Sequence, residues 1–275
     1  MRKTRRRHRN PGRGTDVPAE RAAPLRRTDR TPGYQGAGLS YPACLAVCRE
    51  VPKACTSTGI VWETNVHAIS PLVDFASHDQ KNRWLPVIAN GGLAALALTE
   101  PSAGSDATGM KTTFREDEIL VNGSKIFITN GDVADIIVLF GKWAELGDGR
   151  DAISVAVIEK GAPGFEVIGT DKKMGSRASS TAALSFNTCR IPRANLLGKP
   201  GEGLKMLYDF LRKSRPSVAA QALGIARAAF EDAIAYVNDC PAPLKRLRFE
   251  VSLFSKRGDR RCGKAVSAKS RSSAS

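Results

Sequence analysis

Apolar and polar positions along the chain fall into three regimes. Between Tyr41 and Ile88 apolar residues recur at helical spacing, with Leu45, Val47, Cys48 and Val51 inside Tyr41–Ala54 and further helical stretches at Gly59–Ala68 and His78–Ile88. Pro42 suits a first helical turn, Pro52 bends or ends that first helix, and Asn90-Gly91-Gly92 closes the region. From Leu93 to about Pro192 the runs shorten to strand length: Leu93–Leu98, Met110–Arg115, Glu118–Val121, Ser124–Thr129, Ile136–Gly141, Ile153–Val157, Phe165–Gly169 and Ala182–Phe186. Asn122-Gly123 lies between two of these runs, and that pair predicts a tight hairpin. The pattern is that of a compact antiparallel β domain. After the Gly-rich segment Gly198–Gly203 the helical period returns. Ser214-Arg215-Pro216 interrupts it, which predicts one helix before Pro216 and a longer one from about Ser217 to Asn238.

The chemistry concentrates where the first strand ends. Leu93–Leu98 runs into Thr99-Glu100-Pro101-Ser102-Ala103-Gly104-Ser105-Asp106-Ala107-Thr108-Gly109, a strand breaking into a loop of small residues. Such a backbone comes close to a ligand. Hydroxyls at Thr99, Ser102, Ser105 and Thr108, amides around Gly104 and the restricted Pro101 suit a polar cofactor bearing phosphates, a flavin among them. The stretch lacks G-x-G-x-x-G, so it gives no support to a Rossmann fold.

The order small-apolar-Thr-Glu-Pro-x-Ala-Gly-Ser-Asp-x-x-Gly over Ala97–Gly109 resembles the acyl-CoA dehydrogenase signature. Ile126-Phe127-Ile128-Thr129-Asn130-Gly131 resembles the family's flavin-flanking strand, with Phe127 in a place where Trp is common. Lys173–Thr181, followed by Phe186 and Arg190-Ile191-Pro192, is similar to a second family segment. The resemblance covers about residues 33–239 and implies an α+β, acyl-CoA dehydrogenase-like fold. Its parts are a basic tail (1–32), a partial N-terminal helical domain (33–92), a central antiparallel β domain (93–197), the start of an incomplete C-terminal helical bundle (198–240) and a second basic tail (241–275).

The chemistry implied by the resemblance is α,β-desaturation of an acyl-CoA thioester, in which a carboxylate removes the α proton and the β hydrogen leaves as hydride to flavin N5. FAD is the implied cofactor and electron-transfer flavoprotein the implied acceptor, in a homo-oligomer if the chain is complete. The cofactor-binding positions carried over are Leu96, Ala97, Leu98, Thr99, Ser105, Phe127, Ile128, Thr129 and Arg215. Ser105 and Arg212 fall at substrate-binding positions, Arg212 where several members have an Asp that contacts the acyl-CoA. Most members place the general base beyond the end of the resemblance; in some branches it immediately precedes the Arg, a position occupied here by Ser214. A serine without an activating partner does not replace a carboxylate, so no catalytic residue is assigned and the truncated chain is expected to be inactive or impaired. A non-catalytic remnant that holds flavin or acyl-CoA is the alternative. Glu100, beside Pro101, reads as structural.

Charge changes the picture only at the ends. The chain of 275 residues carries +15, yet residues 1–32 and 241–275 contribute +8 each and leave the middle at −1. The first end is too poor in large apolar residues to offset the entropy of ordering and is expected to be disordered. Pro11, Gly12, Gly14, Pro18 and Pro24 oppose the amphipathic helix of a mitochondrial transit peptide. Arg5-Arg6-Arg7-His8-Arg9 lacks interleaved aromatics for base stacking, which weighs against nucleic acid as the partner. After Asp239 the chain reads Cys240-Pro241-Ala242-Pro243 and a Lys/Arg/Ser-rich tail, where family members continue into an Arg-x-x-Phe-Gly segment, so 241–275 is expected to be out of frame or fused. Six scattered cysteines without a signal peptide indicate a reducing compartment, the cytoplasm or alternatively the mitochondrial matrix. Cys44, Cys48 and Cys55 lack the spacing and His partner of a metal site and read as buried thiols. His67 and His78 read as helix-surface or satisfied core groups, and no apolar run is long enough for a membrane span.

Overall fold

The computed structural model describes residues 32–115 and 118–239. The tail 241–275 and, apart from Pro32, the tail 1–32 lie outside them, and with them the expectations of disorder and of a shifted frame.

Three helices come first. Helix α1 (Tyr41–Ala54) starts where the Ser40 hydroxyl accepts from the Ala43 amide (3.4 Å), with Pro42 in its first turn. Helix α2 spans Thr56–Phe75 and extends past the predicted Ala68 through Pro71. Helix α3 (His78–Ala89) opens on a capping box between Ser77 and Gln80. The Gln80 side-chain amide also donates to the carbonyls of Ala194 (2.8 Å) and Leu196 (2.7 Å), tying α3 to the far end of the sheet.

One eight-stranded sheet follows: β1 (Ala94–Ala97), β2 (Thr113–Arg115), β3 (Ile119–Thr129), β4 (Ile136–Trp143), β5 (Ile153–Glu159), β6 (Phe165–Thr170), β7 (Thr181–Ile191) and β8 (Leu196–Leu197). The order is β6-β7-β3-β2-β4-β5-β8, with β1 paired to β4. Alternation along β4 explains why that stretch reads as an unbroken apolar run. Ile136, Val138 and Phe140 face a core shared with α2, α3 and Met206, while Ile137 and Leu139 face a second core with Phe114, Val121 and Phe186. Both faces of β4 are buried.

Three expectations need correction. The sheet is mixed, because β1 and β2 both run parallel to β4. Asn122-Gly123 is no hairpin: β3 passes straight through it, and β3 pairs antiparallel with β2, Thr113 opposite Asn122. Gly123 is required there for another reason. Its φ is +149°, a Cβ on it would meet the Thr112 hydroxyl at 2.5 Å and the Thr112 Cα at 2.8 Å, and the β3–β7 register shifts beside it. Gly123→Ala is expected to cost about 1–3 kcal/mol, read as a lower urea midpoint; an unchanged midpoint would refute the close approach.

The third correction concerns Pro216. Helix α4 runs unbroken from Gly203 to Asp239 with Pro216 inside it. A helical proline removes one backbone donor and crowds the preceding turn. Side chains supply donors around the break: Tyr41 Oη donates to the Lys213 carbonyl (2.6 Å) and Ser217 Oγ to that of Ser214 (2.8 Å). The chain divides into two compact units between Gly224 and Ile225, and the features described below belong to the first.

Candidate functional site

The loop after β1 is built around Glu100. Glu100 and Ala103 exchange backbone hydrogen bonds, both 3.1 Å, which turns Pro101 and Ser102 outward. Gly104, Ser105 and Asp106 are also exposed, and a Cβ on Gly104 would meet nothing within 4 Å. The loop therefore offers open space beside small polar residues. Asp106 accepts from the Thr108 amide (3.2 Å) and hydroxyl (2.6 Å), so the Thr108 hydroxyl is spent inside the loop.

Beneath the loop lies a buried ion pair. Lys125 Nζ, with no exposed surface, donates to Glu100 Oε1 (2.8 Å) and to the Leu98 carbonyl (2.9 Å). Glu100, 4% exposed, also accepts from the Thr112 amide (3.0 Å), the Thr112 hydroxyl (2.6 Å) and the Lys111 amide (2.7 Å). Burial pushes the Glu100 carboxyl up, but Lys125 and these donors outweigh it and hold it below its ordinary value. Burial pushes the Lys125 ammonium down to about 8 against the opposing pull of Glu100. With both its oxygens engaged, Glu100 anchors the loop.

The next residues of β3 complete the geometry. The Ile126 amide donates to the Thr99 carbonyl (2.9 Å), so the loop and this strand are joined at Leu98–Thr99. Lys125 pairs with Leu184 and Ile128 with Ala182, leaving one extra residue on β3 and making a bulge. Phe127 sits on it with φ +58°, and its ring is 64% exposed. An exposed aromatic held in a left-handed conformation marks a position selected for something other than stability. Ile128 turns back into the core, Thr129 is half-buried, and Asn130 (φ +63°) donates from its side chain to the Ala94 carbonyl (3.3 Å). The similar segment 173–181 lies alongside. Ser180 bonds to Asp132, the Asn130 amide reaches the Ser180 carbonyl (3.3 Å), and Met174 is 95% exposed.

The predicted positions thus divide. Leu98, Thr99, Phe127, Ile128 and Thr129 are brought together by direct hydrogen bonds of their backbones and neighbours, and Ser105 lies exposed on the same loop. Leu96 and Ala97 are β1 residues paired with Val138 and Leu139, and Ala97 is core. Arg212, Ser214 and Arg215 stand on α4, Ser214 buried and both arginines exposed, with Arg212 paired to Asp209 at 3.0 Å. Among the described residues no group of three or more His, Cys, Asp or Glu side chains is arranged to hold a metal. Sequence reasoning missed Lys125. Its signal was a lone cation at an inward position of the alternating strand, which is rare without a paired carboxylate.

The chain that carries the loop and bulge is similar to known proteins. The family described as acyl-CoA dehydrogenase, N-terminal domain, matches residues 29–92, and acyl-CoA dehydrogenase, middle domain, matches 95–189. An acyl-CoA dehydrogenase of Bacillus subtilis is 40% identical over 209 residues, covering 74% of this chain and 55% of the relative. The mouse mitochondrial short-chain specific acyl-CoA dehydrogenase is 39% identical over 220 residues, covering 78% and 53%. The butyryl-CoA dehydrogenase structure of Megasphaera elsdenii superposes with a TM-score of 0.80 at 31% identity, covering 88% of this chain and 68% of that one. A structure from work on the electron transferring flavoprotein of Acidaminococcus fermentans matches with TM-score 0.81 at 36% identity, with the same coverage. The chain belongs to the acyl-CoA dehydrogenase family. It spans about half the length of the curated relatives it matches.

Proposed function

We propose that this chain holds FAD on the β1 loop and the β3 bulge and takes part in α,β-desaturation of an acyl-CoA thioester, with electrons passing on to an electron-transfer flavoprotein. The observation that carries this reading is Phe127, exposed on a left-handed bulge and fastened to Thr99 through the Ile126 amide. Phe127 would supply a stacking face to a flat heteroaromatic ring, Thr99 and Thr129 would be its polar partners, and the open space beside Gly104 and Ser105 would take a phosphate or the CoA chain. When bound, FAD supplies the electron sink for the β hydrogen. The chain's own work is to place the ring, exclude water from one side through Phe127, and orient the thioester through Ser105 and α4, with Arg215 toward the flavin.

The proton step is where this chain departs from its family. Ser214 is buried and its hydroxyl is turned to the Leu211 carbonyl (3.4 Å), so it offers no base. Arg212 reverses the charge expected for contact with acyl-CoA. We accordingly read the described residues as a flavin-binding half-site to which no general base is assigned. Among the described residues Cys44, Cys48, Cys55 and Cys189 stand outside any disulfide, and we place the chain in a reducing compartment, the cytoplasm or alternatively the mitochondrial matrix. Among the described residues no helix is long and apolar enough to cross a membrane.

The test is the visible absorption spectrum of the purified chain with and without added FAD, followed by anaerobic addition of acyl-CoA. Bound flavin that stays oxidised supports the half-site; bleaching reveals a base elsewhere; failure to bind FAD at all overturns the reading. Phe127→Ala is expected to weaken FAD about tenfold in a fluorescence titration, from the lost ring contact.

A further inference from the structure

Away from the loop, four polar side chains are buried where α2 crosses α4. Glu63 and His67 lie one turn apart on α2; Ser217 and Gln221 lie one turn apart on α4. Glu63, Ser217 and Gln221 are each more than nine-tenths buried, and Glu63 Oε1 and Gln221 Nε2 have no hydrogen-bond partner. His67 Nε2 is 2.5 Å from Ser217 Oγ and 3.7 Å from Glu63 Oε1. Glu63 also hydrogen-bonds to Ser217.

Counting protons constrains this cluster. The Ser217 hydroxyl has one proton and gives it to the Ser214 carbonyl (2.8 Å). It therefore faces His67 and Glu63 as an acceptor, and at least one of them must bring a proton. A carboxylate beside a neutral imidazole, whose own Nε2–H is turned to Ser217, would be left buried with no donor at all, because the hydroxyl proton is spent on Ser214. A carboxylate with an imidazolium would bury two charges, which is costly without donors for every lone pair. Oε1 has none.

We propose that Glu63 and His67 form a couple that holds one proton in common across the α2–α4 contact, resting on the Glu63 carboxyl, and that drawing this proton off loosens the contact. The surroundings favour the neutral form. Burial raises the Glu63 carboxyl above its ordinary value and lowers the His67 imidazolium to about 4. From α1 the cluster meets the thiols of Cys44 and Cys48, the latter pushed up to about 12 by burial and then by Glu63. From α4 comes Lys213, already engaged by Asp74 of α2, and Tyr41 Oη is spent on the Lys213 carbonyl. Phe210 closes the seam edge-on to His67 at 5.8 Å. Lys213 is thus held by Asp74 rather than by Glu63. The same turn of α4 carries Ser214 and Arg215, so the couple fixes the segment assigned above to the flavin, although it does not depend on that assignment.

The sign follows from linkage. A carboxyl raised in the folded state gives its full stability below its unfolded value of 4.5 and loses it as pH climbs toward the folded one. Glu63→Gln keeps the shape and the neutral charge at every pH. Thermal melts of the full chain and of this variant should coincide near pH 4 and diverge above it, the variant melting about 3–6 °C higher at pH 8. An infrared band of an un-ionised carboxylic acid at neutral pH should be present in the parent and missing in the variant. A pH-independent offset between the two melts, absence of that band in the parent, or a variant that fails to fold at pH 4 would each overturn the proposal.

Discussion

Lys125→Met is expected to lower the stability of this chain by about 3–5 kcal/mol, the cost of leaving a buried charge without its partner. Lys125 and Glu100 are both inside the protein, and among the described residues Lys125 Nζ is the one cation paired with the carboxylate. The loss is largely the stranding of Glu100, whose remaining donors are the Thr112 amide and hydroxyl and the Lys111 amide. The Leu98 carbonyl also loses its donor, so the damage falls on the loop that the proposed FAD site shares. The double variant Glu100→Gln/Lys125→Met should recover much of the loss, since removing both charges avoids the stranded one. Urea denaturation of the parent and the single and double variants measures this. A single-variant loss below about 1 kcal/mol would mean that the pair is ordinary surface-grade electrostatics.

The pair also gives a pH signature. Glu100, held below its ordinary value, contributes stability above its unfolded pKa that is lost as pH falls through the folded one. Lys125 is shifted down to about 8, so the folded state sheds that proton before the unfolded chain does, and its own contribution rises with pH between about 8 and 10.5. Acid removes the charge of the carboxylate and alkali above about 8 that of the ammonium, so the ion pair itself exists only between the two.

What the sequence disclosed depended on whether a signal was local. The first-turn Pro42, the loop from Ala97 to Gly109 and the strand-length runs are decided by residues within a few positions of one another. The structure places strands or helices at nearly every predicted run. Asn122-Gly123 misled because the same pair that favours a tight hairpin also permits a bulge. Which one forms is decided by Thr112, eleven residues earlier, pressing on Gly123. Pro216 misled because its cost depends on what covers the neighbouring carbonyls, and Tyr41, far away in sequence, does so. Lys125 and the Glu63–His67–Ser217–Gln221 cluster were invisible for the same reason: a buried polar side chain is explained only by its partner across the fold. Phe127 was legible as an aromatic beside the flavin-like motif. Its outward left-handed bulge arises from the β3–β7 register.

Ser214→Glu is expected to raise the rate of flavin bleaching by acyl-CoA by about 10²–10⁴-fold, the usual contribution of a positioned general base. Three features support the choice of position. Ser214 is buried, so a carboxyl there is desolvated and its pKa climbs toward the range useful for removing an α proton. It precedes Arg215 on α4, whose charge limits that climb. The present serine carries no load beyond a long bond to the Leu211 carbonyl, so little is lost by replacing it. The cost is a second buried acid one turn from Ser217 and close to Glu63, about 1–3 kcal/mol of stability. Combining Ser214→Glu with Glu63→Gln should reduce that cost while keeping the gain, which separates a stability defect from a catalytic one. Anaerobic stopped-flow reduction of the FAD-loaded chain provides the rate, and Ser214→Gln controls for size. If Ser214→Glu retains flavin and folds yet bleaches no faster than Ser214→Gln, then the missing carboxylate is not what limits this chain, and the thioester fails to reach the flavin because of Arg212 or the unmatched half of the relatives' length.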